Sequence, residues 1–218
     1  MFGVVIAMES EAKILLDNMQ VETQLLVGNK NVYLGKAYDK EIILCICGVG
    51  KVNAAIGTQI LISQFNVEKL LNFGVAGSLN NTTKLCQVYQ IAAAVQFDFD
   101  LTQLNHTKMG TLDEYSENYL PLQTFKNAFE NRRLGTADRF NDSYADYTLL
   151  TEELNADIRD MEGGAIVQTA IAAKVPVYSV KAISDVAGSG STTEQYLVNR
   201  SAALANLQAA LPTIFNLL

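Results

Sequence analysis

The sequence contains no tryptophan, one histidine, three prolines and three cysteines among its 218 residues. With His106 as the single imidazole, neither a multi-histidine metal site nor a Ser-His-Asp triad is predicted, and we expect His106 to be a solvated loop residue. Cys45, Cys47 and Cys86 have neither zinc-finger nor CxxC spacing. We expect these cysteines to be reduced and mostly buried, and the sequence implies no metal and no cofactor.

Positive charge is also scarce. Lysine and arginine number 16 against 23 aspartates and glutamates, which gives a formal net charge of −7. A basic surface for nucleic acid or for anionic membranes is therefore not expected. No apolar run approaches the roughly 18 residues that a membrane span needs. The amino-terminal MFGVVIAMESEA lacks the positive start of a signal peptide, so we expect a cytoplasmic protein.

Short apolar strands alternate with helical patterns along the whole chain. Strands are predicted over residues 2–7, 21–27, 31–37, 41–47, 69–73, 87–95, 133–137, 156–160 and 176–183. Helices are predicted after the first strand and over residues 52–65, 144–154, 163–173 and 194–218, with a polar loop at 97–108. This alternation indicates an α/β sandwich with a parallel or mixed sheet. Without an internal repeat or a linker, residues 1–218 are expected to form a single domain.

Five segments that carry carboxylates or glycines follow predicted strands. They are Glu11, residues 48–51, residues 74–78, residues 160–162, and Ser184 with Asp185. In open α/β sheets, ligands bind beyond the carboxyl ends of the strands. We therefore expect the five segments to meet in one cleft, to which three of them bring carboxylates.

Two familiar glycine motifs fail in this sequence. The segment Gly48-Val49-Gly50-Lys51 lacks the earlier glycine and the following Ser or Thr of a phosphate-binding loop, because Cys45 and Val52 stand there. Gly74-Val75-Ala76-Gly77-Ser78 lacks the Gly-x-Ser-x-Gly order of a nucleophile elbow. The first segment is interpreted as a turn that lets backbone approach a ligand closely.

Four segments resemble those of the 5′-methylthioadenosine/S-adenosylhomocysteine nucleosidases, in the purine nucleoside phosphorylase superfamily. They are IAMESE at 6–11, GVGKVNAA at 48–55, GVAGSL at 74–79 and KAISDVA at 181–187, and the similarity continues through DRF at 138–140 and DMEG at 160–163. The resemblance implies a three-layer α/β/α sandwich with a central mixed sheet, of the nucleoside phosphorylase type. It implies hydrolysis of the N-ribosidic bond of methylthioadenosine or S-adenosylhomocysteine, with 5′-deoxyadenosine as a further substrate and adenine as the released base.

The resemblance also assigns roles to individual residues. Glu11 falls where the family deprotonates the attacking water, and Glu162 falls where it binds the ribose hydroxyls. Asp185 falls on the acid that protonates N7 of the purine, with Ser184 orienting it. The further substrate-binding positions are Met161 at the ribose, Phe140 stacked on the base, Asn141 and Gly77 through their backbones, and Val49, Val75, Ala76 and Lys181.

The chemistry of the reaction independently requires several acids. A purine leaves poorly as an anion, so a protonated acid must face the base. The ribosyl group becomes oxocarbenium-like and favours nearby negative charge, as in glycoside hydrolysis. Taken singly, however, Glu11 could be a carboxylate that favours a helix dipole, and Ser184 with Asp185 could cap a strand end.

Four departures from the family pattern bear on specificity. Val75 stands where relatives have a small polar residue, and Lys181 replaces a usual arginine, losing its bidentate fork. Asn141 replaces an aliphatic residue. The loop 188–193 is shorter and less aromatic than in relatives, and Tyr196 is the candidate ring to substitute.

Two alternatives remain open at this stage. A phosphate-dependent purine nucleoside phosphorylase would need a cationic phosphate site, where this chain has Glu11. A non-catalytic nucleoside-binding protein would be expected to lose a carboxylate, and all three are present. The resemblance further implies a homodimer, in which the loop 100–109, with Leu101 and Leu104, reaches the partner's pocket.

Overall fold

The computed structural model describes residues 1–79, 82–140 and 142–218. Within these ranges the strands are β1 (Phe2–Ile6), β2 (Gln20–Val27), β3 (Lys30–Ala37), β4 (Lys40–Ile46), β5 (Lys69–Ser78), β6 (Val88–Gln96), β7 (Leu120–Pro121), β8 (Asn131–Thr136), β9 (Ile158–Asp160) and β10 (Val177–Val186). The helices are α1 (Glu9–Leu16), α2 (Lys51–Phe65), α3 (Thr102–Asn105), α4 (Tyr144–Thr148) with a π-helical turn at Leu149–Glu153, α5 (Gly163–Ala172) and α6 (Thr192–Leu217).

The strands form one mixed sheet in the order β10-β6-β8-β9-β5-β1-β4-β3-β2, with β7 paired to β6. β1 is parallel to both β4 and β5, whereas β2, β3 and β4 form an antiparallel meander. β10 also pairs in parallel with β5, so that β5, β9, β8, β6 and β10 close into a ring. The carboxyl ends of β1, β5 and β10 consequently lie at the same edge of the sheet.

Helices cover both faces of the sheet, because each strand in its centre is apolar on both sides. α2 and α5 pack against each other on one face, around buried residues such as Leu61 and Ile166. α1 and α6 cover the other face, around Leu15, Leu207 and Phe215. The expected three-layer α/β/α sandwich with a central mixed sheet is therefore confirmed. Among the helices of the described ranges, none combines the length and apolar character needed to cross a bilayer.

The structure corrects several predicted element boundaries. β5 continues from residue 73 to Ser78, and β10 continues from residue 183 to Val186, because the two strands pair along their whole length. The segments predicted to follow these strands therefore lie within them. The polar loop at 97–108 contains the short helix α3, and the predicted helix at 144–154 changes to π-helical geometry at Leu149.

Candidate active site

A cavity of about 370 Å³ opens at the sheet edge where β1, β5 and β10 end. Its walls include Glu11 from α1, Glu162 from the start of α5 and Asp185 from β10. Of the other predicted site residues, the cavity is lined by Val49, Val75, Ala76, Gly77, Phe140, Met161 and Ser184. Lys181 is not among the lining residues, and Asn141 lies outside the described residues. The five segments expected to converge do so in one cavity.

Glu11 is placed by the short link between β1 and α1. Its Oε1 accepts a hydrogen bond of 2.8 Å from the Val75 amide, and its Oε2 accepts one of 3.3 Å from Met8. The carboxylate approaches β5 closely because residue 74 is glycine: a Cβ there would lie 2.5 Å from Glu11 Oε1. Burial raises the pKa of Glu11, although Lys181 and the two amide donors oppose the rise. Glu11 thus caps its helix and also faces the cavity.

Glu162 connects the start of α5 to the glycine turn before α2. Its Oε1 accepts a hydrogen bond of 2.8 Å from the Gly50 amide. Gly50 has φ of 99°, a conformation that other residues rarely adopt, so the turn depends on glycine here. Burial and the nearby Asp160 raise the pKa of Glu162 to about 7, against the opposing effects of Lys181 and the Gly50 amide. Burial therefore makes ionisation of Glu162 harder than that of a solvated glutamate.

Asp185 is aimed into the cavity by a β-bulge at Ser184, where the register with β5 shifts between Ile183 and Asp185. Its Oδ2 accepts a hydrogen bond of 2.8 Å from Ser184 Oγ. Its Oδ1 has no hydrogen-bond partner within the described residues and lies 3.9 Å from Arg159 Nη2. Burial raises the pKa of Asp185; Ser184 and Arg159 oppose this rise, and Asp142 adds to it. Burial therefore favours the protonated form of Asp185 more than solvent would, which suits a proton donor.

Lys181 occupies a different place from the one expected of a substrate contact. Its Nζ lies 2.9 Å from Asp160 Oδ2, and the two side chains are only 3% and 2% exposed. Burial lowers the pKa of Lys181, but Asp160, Glu162 and Glu11 outweigh that effect and raise it. Lys181 is therefore a buried cation that neutralises the carboxylates from behind the cavity wall.

Asp160 is a part of the site that the sequence prediction did not assign. Its Oδ1 accepts a hydrogen bond of 2.6 Å from Thr136 Oγ1, and its Oδ2 accepts one of 2.9 Å from the Gly163 amide. These bonds fix the carboxylate that holds Lys181. The signal available in the sequence was the position of Asp160 at a predicted strand end, two residues before Glu162.

Apolar side chains form the mouth of the cavity. Phe140 is 48% exposed, and its ring lies 5.8 Å from that of Tyr196 at an interplanar angle of 67°. Tyr196 Oη lies 3.8 Å from Met8 Sδ, so the ring bridges two sides of the opening. Thr193 and Leu197 of α6 complete this wall. Tyr196 therefore lies beside Phe140, the ring predicted to stack on the base. It supplies an aromatic side chain that the short loop 188–193 does not.

The acids divide into two electrostatic groups. Asp160 raises the pKa of both Glu11 and Glu162, and Lys181 lowers both. The pKa of Asp185 instead depends on its burial, Ser184, Arg159 and Asp142. Within the described residues, no group of three or more histidine, cysteine, aspartate or glutamate side chains is arranged to hold a metal ion. The two groups of acids can therefore donate a proton at the Asp185 end of the cavity and accept one at the Glu11 end.

Comparisons with known proteins agree with this architecture. A family model described as the phosphorylase superfamily matches residues 1–216. The 5′-methylthioadenosine/S-adenosylhomocysteine nucleosidase of Staphylococcus epidermidis is 30% identical over 203 residues, which are 86% of this chain and 87% of that protein. The aminodeoxyfutalosine nucleosidase of Campylobacter jejuni is 27% identical over 212 residues, covering 92% and 93%. A crystal structure of the Helicobacter pylori 5′-methylthioadenosine/S-adenosylhomocysteine nucleosidase superposes with a TM-score of 0.91 at 23% identity, over 100% of this chain and 98% of that one, which shows the same fold.

Proposed function

The chain belongs to the phosphorylase superfamily and, within it, to the 5′-methylthioadenosine/S-adenosylhomocysteine nucleosidase family of N-glycosyl hydrolases, and from this premise we propose that it hydrolyses the N-ribosidic bond of 5′-substituted adenosines and releases adenine. The observation that carries the proposal is the single cavity shared by Glu11, Glu162 and Asp185. The relatives' names and the geometry of the acids support the same reaction.

In the proposed reaction Asp185 is the general acid. Its buried carboxyl donates a proton to N7 of the purine as the bond between N9 and C1′ breaks, so the electron pair of that bond leaves with a neutral base. Ser184 Oγ donates to Oδ2 at 2.8 Å, and Oδ1 has no hydrogen-bond partner among the described residues. Positioned proton transfer of this kind contributes about 10²–10⁴ in rate.

Glu11 is the proposed general base for the attacking water. The Val75 and Met8 amides hold its carboxylate in place, and Lys181 favours its ionised form. The water oxygen bonds to C1′ and its proton passes to Glu11. Glu162, anchored by Gly50, accepts hydrogen bonds from the ribose hydroxyls and places negative charge near the oxocarbenium-like carbon.

The charge of the cavity wall favours water over phosphate as the nucleophile. Among the described lining residues Arg159 is the one cationic side chain, and it lies beside Asp185 at the end proposed for the base. A phosphate ion near Glu11 and Glu162 would face two carboxylates, with Lys181 held behind them by Asp160. This distribution of charge supports hydrolysis over the phosphorylase alternative.

The mouth of the cavity suits an apolar 5′-substituent. Met8, Val49, Tyr196 and Leu197 present thioether, aliphatic and aromatic surface there. We propose methylthioadenosine and S-adenosylhomocysteine as substrates, which would place the enzyme in methionine salvage. Aminodeoxyfutalosine is a second candidate, because the Campylobacter jejuni relative carries that name.

We also propose that the chain acts as a cytoplasmic homodimer. The loop 100–109 presents Leu104, which is 75% exposed, and the turn and first part of α2 expose Val49, Val52 and Ile56. A second copy covering these side chains would remove apolar surface from water.

A nucleoside panel assayed without phosphate tests the proposal. Methylthioadenosine, S-adenosylhomocysteine, aminodeoxyfutalosine, 5′-deoxyadenosine and adenosine would each be scored for free base. We expect release from at least the first two and a loss of release in Glu11→Gln, with Glu9→Gln as the matched control because residue 9 is exposed on the same helix turn. Binding of these nucleosides without any base release would instead support a non-catalytic binding protein.

A further inference from the structure

A lysine with almost no solvent exposure contacts the first turn of α2. Lys30 is the first residue of β3 and is only 4% exposed. Its Nζ donates a hydrogen bond of 2.6 Å to Oδ1 of Asn53, a neutral side chain on α2. Lysine is seldom buried unless it is paired, because removing its charge from water costs free energy. The proposed reaction does not use this cation, so its burial has another cause.

Lys30 fixes the orientation of the Asn53 amide. An ammonium group only donates hydrogen bonds, so the Asn53 atom that faces it must be the oxygen. The Nδ2 group then donates a hydrogen bond of 2.7 Å to the Val49 carbonyl. Val49 lies between Gly48 and Gly50, whose φ angles of 90° and 99° belong to a turn with little conformational restriction of its own. The two side chains therefore hold this turn from outside.

This orientation also keeps Asn53 away from the Gly50 amide. Gly50 is the N-cap of α2, and Asn53 is its third helical residue, the position from which a side chain bonds back to the N-cap amide in a capping box. Here the Gly50 amide instead donates to Glu162 Oε1 at 2.8 Å. Without Lys30, the Asn53 amide can turn over and present Oδ1 to the Gly50 amide in competition with Glu162.

We propose that Lys30 and Asn53 are positioning residues that reserve the Gly50 amide for Glu162 and so hold that carboxylate against the ribose hydroxyls. Neither residue lines the cavity, so both act on the substrate through Glu162. The inference rests on the proposed function for the role of Glu162, whereas the hydrogen-bond arrangement can be tested without the reaction.

Hydrolysis of methylthioadenosine in phosphate-free buffer tests the effect on the reaction. Lys30→Met should lower kcat/KM by about tenfold, the effect of losing one hydrogen bond. Adding Asn53→Ala to Lys30→Met should restore most of this loss, because no side-chain acceptor then competes for the Gly50 amide. Lys36→Met is the matched control, since Lys36 lies on the same strand and its ion pair with Glu22 is exposed. It should keep wild-type kcat/KM.

Asn53→Asp is a second variant that keeps a partner for the buried cation. Its carboxylate still accepts from Lys30, but it cannot donate to the Val49 carbonyl and offers a second oxygen to the Gly50 amide. We expect kcat/KM to fall by about tenfold here too, in a protein that circular dichroism shows to be folded. Wild-type kcat/KM in this variant would contradict the proposal.

The Gly50 amide gives a readout that does not depend on catalysis. In protein labelled with ¹⁵N-glycine, its NMR resonance should move with pH as Glu162 titrates. Glu162→Gln should remove this movement, which distinguishes Glu162 from Asp138, the carboxylate nearest to a Cβ built on residue 50. Lys30→Met should weaken the movement, and adding Asn53→Ala should restore it. The other charged groups that act on Glu162 are unchanged in these variants: Asp160, Lys181 and Glu11.

Two results would overturn the inference. A loss of kcat/KM in Lys30→Met that Asn53→Ala deepens rather than relieves would show a purely structural role. A Gly50 resonance that titrates in Lys30→Met as it does in the wild type would show that Glu162 keeps the amide without Lys30. If the wild type releases no base, the proposed function itself fails, and the NMR titration alone decides whether Lys30 reserves the amide.

Discussion

Lys181 and Asp160 form an ion pair of 2.9 Å that is almost completely buried behind the carboxylates of the cavity. Lys181 comes from β10 and Asp160 from β9, which are both hydrogen-bonded to β5. The pair therefore links β10, which carries Asp185, to β9, which precedes Glu162. The positive charge of Lys181 also lowers the pKa values of Glu11 and Glu162, which burial raises.

Replacing Lys181 should strongly destabilise the fold. Lys181→Met leaves Asp160 buried without its cation, and breaking a buried pair from one side costs about 3–5 kcal/mol. Urea unfolding monitored by circular dichroism measures the change. Lys13→Met is the matched control, because the ion pair of Lys13 with Asp17 is exposed and should contribute about 1 kcal/mol or less. A loss for Lys181→Met no larger than that of the control would contradict the assigned role.

Glu162 should make stability depend on pH in a defined direction. Its pKa rises from 4.5 to about 7 on folding, so between these values the folded state binds more protons than the unfolded state. The contribution of Glu162 to the free energy of unfolding is thus most favourable below pH 4.5, decreases as pH rises, and is lowest above pH 7. The full change is at most about 3 kcal/mol.

Unfolding measured from pH 4.5 to 8 tests this dependence. Glu162→Gln cannot titrate and should show a flatter decrease in stability across that window than the wild type. Glu114→Gln, at an exposed loop position, should keep the wild-type profile. Parallel profiles for wild type and Glu162→Gln would show that this carboxyl is ionised normally in the folded state.

Asp185→Asn should separate catalysis from binding. The amide keeps the shape of the side chain and can still accept from Ser184, but it has no acidic proton for the purine. We expect kcat to fall by about 10²–10⁴ while the dissociation constant of the nucleoside changes much less. Ser184→Ala should cost only about tenfold, because it removes one hydrogen bond that orients the Asp185 carboxyl. Substantial hydrolysis by Asp185→Asn would remove Asp185 from the role of acid.

The proposed homodimer predicts that a charge at Leu104 weakens association. Sedimentation velocity should show a dimer for the wild type and dissociation for Leu104→Glu, with a matching loss of activity. Leu26→Glu is the control, because Leu26 is 71% exposed on β2, at the edge of the sheet away from the cavity. A wild-type monomer with full activity would refute the proposal.

Much of the fold and of the site's location follows from sequence pattern. The meander β2, β3 and β4 was predicted to within one residue at each end, because its strands are bounded by turn residues such as Gly28 and Asp39. The family resemblance is confirmed by the superfamily match, and the carboxylates that it singled out share one cavity.

The remaining features depend on contacts between distant strands. Residues 74–78 carry little intrinsic strand preference, so their strand depends on pairing with β10 and, at Gly77 and Ser78, with β9. The bulge at Ser184 comes from the same pairing. The partnership of Lys181 with Asp160, and that of Arg159 with Asp185, could not be foreseen, because each joins residues from separate strands of the closed ring.

The identity of the nucleophile tests the central claim most directly. Purified enzyme would be incubated with methylthioadenosine in buffer with and without inorganic phosphate, and the sugar product identified by mass spectrometry. We predict free adenine and free methylthioribose at the same rate in both buffers. Release of adenine only when phosphate is present, with a sugar 1-phosphate as the product, would contradict hydrolysis by these carboxylates.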